Sequence, residues 1–310
     1  MSAGKKKISS LDYPELGREA VEASGNGAIS KLPPGLYVVA TPIGNLGDIT
    51  LRALATLAQA DAVMCEDTRA SGILLNLFGI KKPLFSCHDH NEDARTPDIL
   101  RRIGKGEAVA LISDAGLPAI ADPGFRLVRA CREAGHAVTV IPGANAALTA
   151  LAGSGLPTDR FLFAGFLPPK STARKKDIAA LRHAEATLVF YESPQRLAAS
   201  LADLAEVLGA ARAAAVAREL TKLHEETRRG TLGELAAHYA AHDVKGEIVI
   251  LVERGADETE NIDVDALLDA RLKQLSVRDA VAEVAAMTGL PKKEIYARAL
   301  ARAPAKTTKK

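Results

Sequence analysis

The chain has 310 residues, 47% of them apolar and 25% charged, with a net charge of only +2. That length exceeds one small core and predicts two domains plus extensions, while the near-neutral balance confines any nucleic-acid contact to a local surface. No apolar run reaches membrane-span length, which excludes a transmembrane helical protein, and the widely spaced Cys65, Cys87 and Cys131 predict reduced thiols packed as small hydrophobes in a cytoplasmic protein.

Residues 1–32 are polar, rich in Gly, Ser and Lys, and end in Pro33-Pro34. They predict a disordered leader, and the absence of an apolar run behind the first lysines predicts no secretory signal. A first α/β domain is predicted over 33–155. Its apolar runs at 37–40, 62–65, 108–113 and 137–142 alternate with helical patterns at 49–60, 125–135 and 144–151. Strands apolar on both faces and joined by helices predict a mostly parallel sheet covered on both sides. Gly153, Gly155, Pro157 and Asp159 mark a hinge. A second α/β domain follows over 156–256, with strands at 161–166, 186–193, 213–219 and 247–253. An acidic linker then leads into a helical segment, 257–303, whose outline fits a helix-turn-helix and equally a plain helical cap. A basic tail closes the chain at 304–310.

The loop after the first strand holds Pro42, Gly44 and Gly47 but neither Gly-Lys-Ser/Thr nor G-x-G-x-x-G, so it is not a phosphate cradle. Glu66, Asp67 and Arg69, in EDTRAS, stand at the end of the second strand, where open α/β sheets bind ligands; an Asp67 helix cap with a solvated Arg69 is the competing reading. In ISDAGLPAIADPG, Gly116, Pro118, Pro123 and Gly124 fix an unusual backbone path around Asp122. In IPGANAALTAL, Asn145 starts a helix whose first amides are free donors. Three such loops at the ends of aligned strands predict one cleft. In the second half, a predicted loop over 165–177 carries Lys170, Arg174, Lys175 and Lys176 behind Phe166; it fits a nucleic-acid rim as well as a solvated charge run. Arg218, Glu219 and Lys222 sit at another strand end, and Lys245-Gly246-Glu247 begins the last strand. His88 and His90 would share a strand face, but no third ligand is spaced to join them and no metal is expected.

Taken together and in order, YVVATPIGNLGDIT, EDTRAS, SDAGLPAIADPG, IPGANAALTAL, GFLPPKS, FYESPQRL, ARELTK and KGEIVILVE resemble the ribosomal RNA small subunit methyltransferase I family, the cytidine 2′-O-methyltransferase branch of the tetrapyrrole methylases. The resemblance runs from about Leu36 to Glu253. It implies a class III methyltransferase, tetrapyrrole methylase-like fold: two α/β domains with a cofactor cleft between them, plus a small C-terminal helical segment. It further implies S-adenosyl-L-methionine as cofactor and a homodimer acting on a cytidine ribose in 16S rRNA of the 30S subunit, with neither DNA nor membrane as partner. Positions matching the superfamily assign the cofactor to Ile43, Leu117, Ile120, Ala121, Asn145, Ala146, Phe166, Leu220 and Gly246. For acceptor activation the candidates are Glu66, Asp67, Arg69 and Lys170, with Glu219 and Lys222 behind them. RNA contacts are expected at Lys170, Arg174, Lys175, Lys176 and Arg69, and on the helical segment at Lys292, Lys293 and Arg298. Two departures from the family pattern stand out: Ala144-Asn145-Ala146 where Pro-Ser-Ala is usual, and Leu117 where Thr is common. A tetrapyrrole-precursor methyltransferase of the same fold is the alternative function. A DNA-binding regulator working through its last helices would leave the three strand-end loops unexplained.

Overall fold

The computed structural model describes residues 12–23, 31–255, 264–288 and 290–302. These fall into two compact units, one carrying both α/β halves up to Glu253 apart from Arg182–Glu185, and the other carrying that short segment and the C-terminal helices.

In the first half, β1 (Gly35–Val39), β2 (Ala62–Cys65), β3 (Leu84–Ser86), β4 (Ala108–Leu111) and β5 (Val138–Ile141) form a sheet of order β3-β2-β4-β1-β5. Every pairing in it is parallel. Side chains alternate between faces along a strand. Tyr37 and Val39 therefore join Leu54, Leu57, Leu75 and Phe78 on one side, and Leu36 and Val38 join Ile99, Ile103, Leu127 and Cys131 on the other. The covering helices are α2 (Leu51–Gln59), α3 (Thr68–Leu77), α4 (Glu92–Gly104) and α5 (Phe125–Glu133). Burial on both faces is why these strands read as unbroken apolar runs. All three cysteines are free and buried, and burial pushes the Cys87 and Cys131 thiols up to about 11.

The leader expectation needs correction. Helix α1 (Tyr13–Ala23) forms inside it and packs on α2. Its Tyr13 ring meets Phe78 edge-on at 5.4 Å, and Gly17 lets the backbones approach so closely that a Cβ there would lie 2.3 Å from the Phe78 carbonyl oxygen.

The second half holds β6 (Phe161–Phe166), β7 (Thr187–Glu192), β8 (Ala213–Arg218), β9 (Glu226–Thr231) and β10 (Ile248–Val252), in the order β6-β7-β10-β8-β9. Only β6–β7 is parallel; the other three pairings are antiparallel. Helix α6 (Ala146–Ser154), the last of the first half in sequence, packs on this sheet, its Ala150 and Leu151 against Val189, Ala215, Ala217 and Leu251. The halves are thus joined by a shared core as well as by the chain.

The basic stretch 165–177 is not all loop: α7 (Ser171–Ala180) begins within it. Arg174 is buried there, its Nε 2.6 Å from Asp203 Oδ2 on α8 (Pro194–Leu208). The expectation that Arg174 faces RNA is therefore corrected: the residue anchors α7 to α8. Helix α9 (Leu232–Ala241) follows β9 with a Thr231–Glu234 capping box.

In the separate helical unit, α10 (Val264–Leu272), α11 (Val277–Thr288) and α12 (Lys292–Arg302) enclose Leu268, Val281, Val284, Ile295 and Ala299. The basic tail at 304–310 and most of the acidic linker lie outside the described residues. No helix among the described residues is long and apolar enough to cross a membrane.

The Arg174–Asp203 pair generates a stability prediction. Removing one partner strands a buried charge, which costs about 3–5 kcal/mol. Asp203→Ala should lose that much in urea denaturation, and a loss below about 1 kcal/mol would contradict the assignment.

Candidate functional site

The site is assembled where the first sheet's strands end. Thr41, just past β1, and Gly116, past β4, form a two-residue antiparallel bridge, Thr41 N donating to Gly116 O at 2.9 Å and Gly116 N to Thr41 O at 3.1 Å. The Thr41 hydroxyl adds a bond to the Ser113 carbonyl at 3.1 Å. The loop after β4 then turns through positive φ at Gly116, Ala119, Ala121 and Gly124. For the two alanines this left-handed conformation costs about 1–3 kcal/mol each and persists because the surroundings over-determine it. The third loop ends at Asn145, whose side chain accepts from Leu148 N at 3.0 Å and caps α6. Asparagine is among the strongest helix N-caps, so the side chain at this position fixes the start of α6.

These loops, with the ends of β7, β8 and β10, enclose a cleft of about 370 Å³. Ile43, Leu117, Ile120, Asn145, Ala146, Phe166, Leu220 and Gly246 all line it. Ala121, at φ 60°, does not; it belongs to the strained turn behind Ile120. Tyr191, Glu192, Ser193 and Pro194, which the sequence does not single out one by one, also line the cleft, as do Asp122 and Glu247, which the sequence reading places at strand ends without assigning them to the cofactor. The signal for the first four was available: FYESPQ ends a strand and turns at Pro194, as the first-half loops do. Tyr191 anchors an aromatic cluster with Phe163 at 4.9 Å and Phe166 at 5.6 Å. Among the described residues no lysine or arginine lines the cleft, and its ionisable groups are the Tyr191 phenol and three carboxyls, of which Glu192 is paired with Arg196 at 2.7 Å and Glu247 with Lys222 at 3.1 Å. Such a lining disfavours phosphate and suits a flat apolar group joined to a positive charge. The adenosyl group and sulfonium of S-adenosylmethionine fit that description.

A second cavity of about 290 Å³ adjoins the first through Ile43, Ala115 and Glu247. Lys222 lines it, in a turn where Glu219 (φ 52°) and Thr221 (φ 66°) are again left-handed without being glycine. Glu219 organises that turn. Its Oε1 accepts from Lys222 Nζ at 2.8 Å and from Glu247 N at 3.1 Å, and it occupies the space a Gly246 Cβ would need, 2.1 Å away. Glu247 Oε2 accepts from Lys222 at 3.1 Å. Burial works to lower the Lys222 pKa, but its two carboxylate partners more than compensate and hold it raised.

Glu66, Asp67, Arg69 and Lys170 line neither cavity. Asp67 caps α3, accepting from Arg69 N at 2.8 Å, and pairs with the largely exposed Arg69 guanidinium at 2.9 Å. The Arg69 hydrogen bond holds the Asp67 carboxyl down at about 2, and the cap of the competing EDTRAS reading is present. Glu66 is pushed up by burial and by Asp114 and Asp89. Asp122 is pushed up to about 6, first by burial and then by Glu66, Asp114 and Asp89, against an opposing Ser113 hydrogen bond.

Of the basic residues, Lys170 and Lys176 are exposed, while Lys175 is held by Glu206 at 2.6 Å and Asp203 at 3.6 Å. In the helical unit a groove of about 380 Å³ is lined by Arg278, Lys292, Lys293 and Tyr296; Arg298 is instead paired with Glu294 at 2.9 Å. His88 and His90 stack edge-on at 6.0 Å, and no metal-holding group of three or more His, Cys, Asp or Glu occurs among the described residues.

Asp122 generates a pH prediction. A carboxyl raised in the folded state favours folding below its unfolded value, and that contribution is lost as pH rises through about 6. Asp122→Asn should therefore gain stability relative to wild type between pH 4 and pH 7.5, by about 1 kcal/mol after partial solvent screening. Thermal melts at both pH values would show this, and a pH-independent difference would contradict it.

Comparisons with known proteins identify the family. Residues 35–236 match the family model described as Tetrapyrrole (Corrin/Porphyrin) Methylases, and residues 258–303 match one described as RsmI C-terminal HTH domain. A protein of Mesorhizobium japonicum named Ribosomal RNA small subunit methyltransferase I is 52% identical over 273 residues, 87% of this chain and 92% of the relative. The protein of the same name from Haemophilus influenzae is 47% identical over 84% of this chain and 94% of its own length. Among solved structures, a uroporphyrin-III C-methyl transferase from Thermus thermophilus complexed with S-adenyl homocysteine shares the fold, with a TM-score of 0.51 and 20% identity, covering 71% of this chain and 97% of that chain. The chain belongs to the tetrapyrrole methylase family, within the branch of the ribosomal RNA small subunit methyltransferases I.

Proposed function

We propose that the protein transfers a methyl group from S-adenosyl-L-methionine to the 2′-hydroxyl of a cytidine in the decoding region of 16S rRNA, acting on the 30S subunit in the cytoplasm as a homodimer. The observation that carries the reading is the cation-free cleft at the strand ends, lined by Ile43, Leu117, Asn145, Phe166, Leu220 and Gly246. The relatives' shared name supports ribosomal RNA as the acceptor.

When bound, the cofactor supplies an electrophilic methyl on a cationic sulfur. The chain's own residues bind and orient it. Apolar side chains and the Tyr191 cluster fit an adenosyl group, and among the described residues no lysine or arginine lines the cleft to oppose a positive charge there. Fixing two reactants in line supplies much of the acceleration in such a displacement. Exposed Lys170 and Lys176 give the α/β halves a local basic surface, and Arg278, Lys292 and Lys293 with Tyr296 give the helical unit another. Both suit RNA backbone, with Tyr296 available to stack on a base.

The test uses purified protein, methyl-labelled S-adenosylmethionine and 30S subunits from a strain lacking the endogenous enzyme. Label on one cytidine ribose, mapped by nuclease digestion and mass spectrometry, is the expected outcome. Cofactor binding without rRNA labelling would move the acceptor elsewhere, and no cofactor binding would overturn the reading of the cleft. In the same assay the double variant Lys170→Glu/Lys176→Glu should weaken rRNA binding and lower its log–log salt slope by about 1 per lost phosphate contact, with cofactor affinity unchanged. Unaltered rRNA affinity would remove these lysines from the interface.

A further inference from the structure

A ribose hydroxyl is a poor nucleophile, and its attack requires a group that stabilises negative charge on the oxygen as its proton leaves. Among the described residues, Lys222 is the only basic side chain that lines either cavity of the α/β unit. Its placement is built. The first-strand loop has a glycine, Gly44, where a Cβ would lie 2.5 Å from Lys222 Cγ and 2.9 Å from its Cε, so the glycine provides the channel along which the lysine stem runs. Glu219 and Glu247 hold the ammonium at 2.8 and 3.1 Å, and the left-handed residues on either side of Leu220 turn Leu220 into the first cavity and Lys222 into the second. Glu247 faces both cavities and remains open to solvent.

We propose that the second cavity, lined by Gly44, Ser113, Asp114, Lys222 and Glu247, is the acceptor site for a ribonucleoside, and that Lys222 is the catalytic residue that binds its 2′-oxygen. This rests on the rRNA-methylation reading above. The ammonium donates a hydrogen bond to the hydroxyl oxygen and stabilises the charge that develops there. With S-adenosylmethionine held in the first cavity, its methyl carbon would meet the oxygen where the cavities adjoin, at Ile43 and Ala115. As the oxygen–carbon bond forms, the carbon–sulfur bond breaks with its electron pair remaining on sulfur, which leaves a neutral thioether. The hydroxyl proton passes to the Glu247 carboxylate and from there to water. Lys222 stays protonated throughout, in keeping with its raised pKa, and Glu219 is a positioning residue acting through it.

The test compares wild type, Lys222→Met and Lys222→Arg as full-length proteins on 30S subunits. Lys222→Met should lower kcat by about 100-fold, the range of a lost charge-stabilising donor, while calorimetric affinity for S-adenosylhomocysteine stays within about twofold. Lys222→Arg should recover roughly tenfold of that loss, because the charge is kept in an altered geometry. A second readout needs no turnover. With S-adenosylhomocysteine bound, wild type should bind substrate RNA several-fold more tightly than the same RNA carrying a 2′-deoxy group at the target cytidine, and Lys222→Met should lose that preference. Wild-type turnover with Lys222→Met unimpaired, or a 2′-hydroxyl preference that survives the substitution, would overturn the role of Lys222. Absence of turnover in wild type would instead count against the methylation reading itself.

Discussion

The site depends on one short constraint, the pair of backbone hydrogen bonds between Thr41 and Gly116. Adjacent parallel strands deliver their loops to the same edge of a sheet, but nothing in a parallel sheet fixes how those loops stand to one another. The bridge does so. It clips the loop after β1 to the loop after β4, with the Thr41 hydroxyl reaching back to Ser113. With that junction fixed, Ile43 is directed into the first cavity, Gly44 is placed beside Lys222, and the segment 117–124 passes through its left-handed turns. Backbone strain of this kind is stored where geometry matters. All four left-handed non-glycine residues among the described ones lie in the two turns that shape the cavities.

The two cavities both carry carboxylates and differ in one basic group, the Lys222 ammonium. A cationic donor needs a pocket that does not repel it, and the first cavity offers acidic and apolar groups with no lysine or arginine. A developing alkoxide needs a charged hydrogen-bond donor, and the neighbouring cavity, which Asp114 and Glu247 also line, offers one: the Lys222 ammonium held between two carboxylates. Because the ammonium is already paired before substrate arrives, it costs little reorganisation when charge appears on the oxygen, which is the condition under which fixed charges are most effective. The glycine-rich first loop thus has an explanation that requires no phosphate: its glycine admits a lysine from the other half of the unit.

The legible part of the fold was the part with strong burial. β1, β2, β4, β8 and β10 are covered on both faces and announce themselves as apolar runs. Two of the four edge strands do not: β3 is three half-buried residues, and β9 reads ETRRGT with one side of it unpaired, whereas the edge strands β5 and β6 keep readable apolar runs. Helix α4 hides behind a polar sequence with an internal Pro97, and α1 is recognisable only through its contact with Phe78. Strand direction was equally hidden, since the alternation in the second half does not disclose that β10 runs antiparallel to both neighbours. In the site, turn chemistry made the three loops visible, but alanines at positive φ carry no local signal. Charged residues were the hardest to rank. Arg174 and Lys176 stand two positions apart in one basic run, yet Arg174 is buried against Asp203, 29 residues away, while Lys176 is exposed. Lys222 sits in a charged stretch like many surface segments, and only the fold brings it to Gly44.

The most direct test of this account is a crystal structure of the protein with S-adenosylhomocysteine. The account predicts the adenosyl group in the cleft lined by Leu117, Asn145, Phe166 and Leu220, with the sulfur directed at the junction by Ile43 and Ala115 and facing the cavity that holds Lys222. A ligand bound outside that cleft, or one whose sulfur faces away from the second cavity, would contradict it.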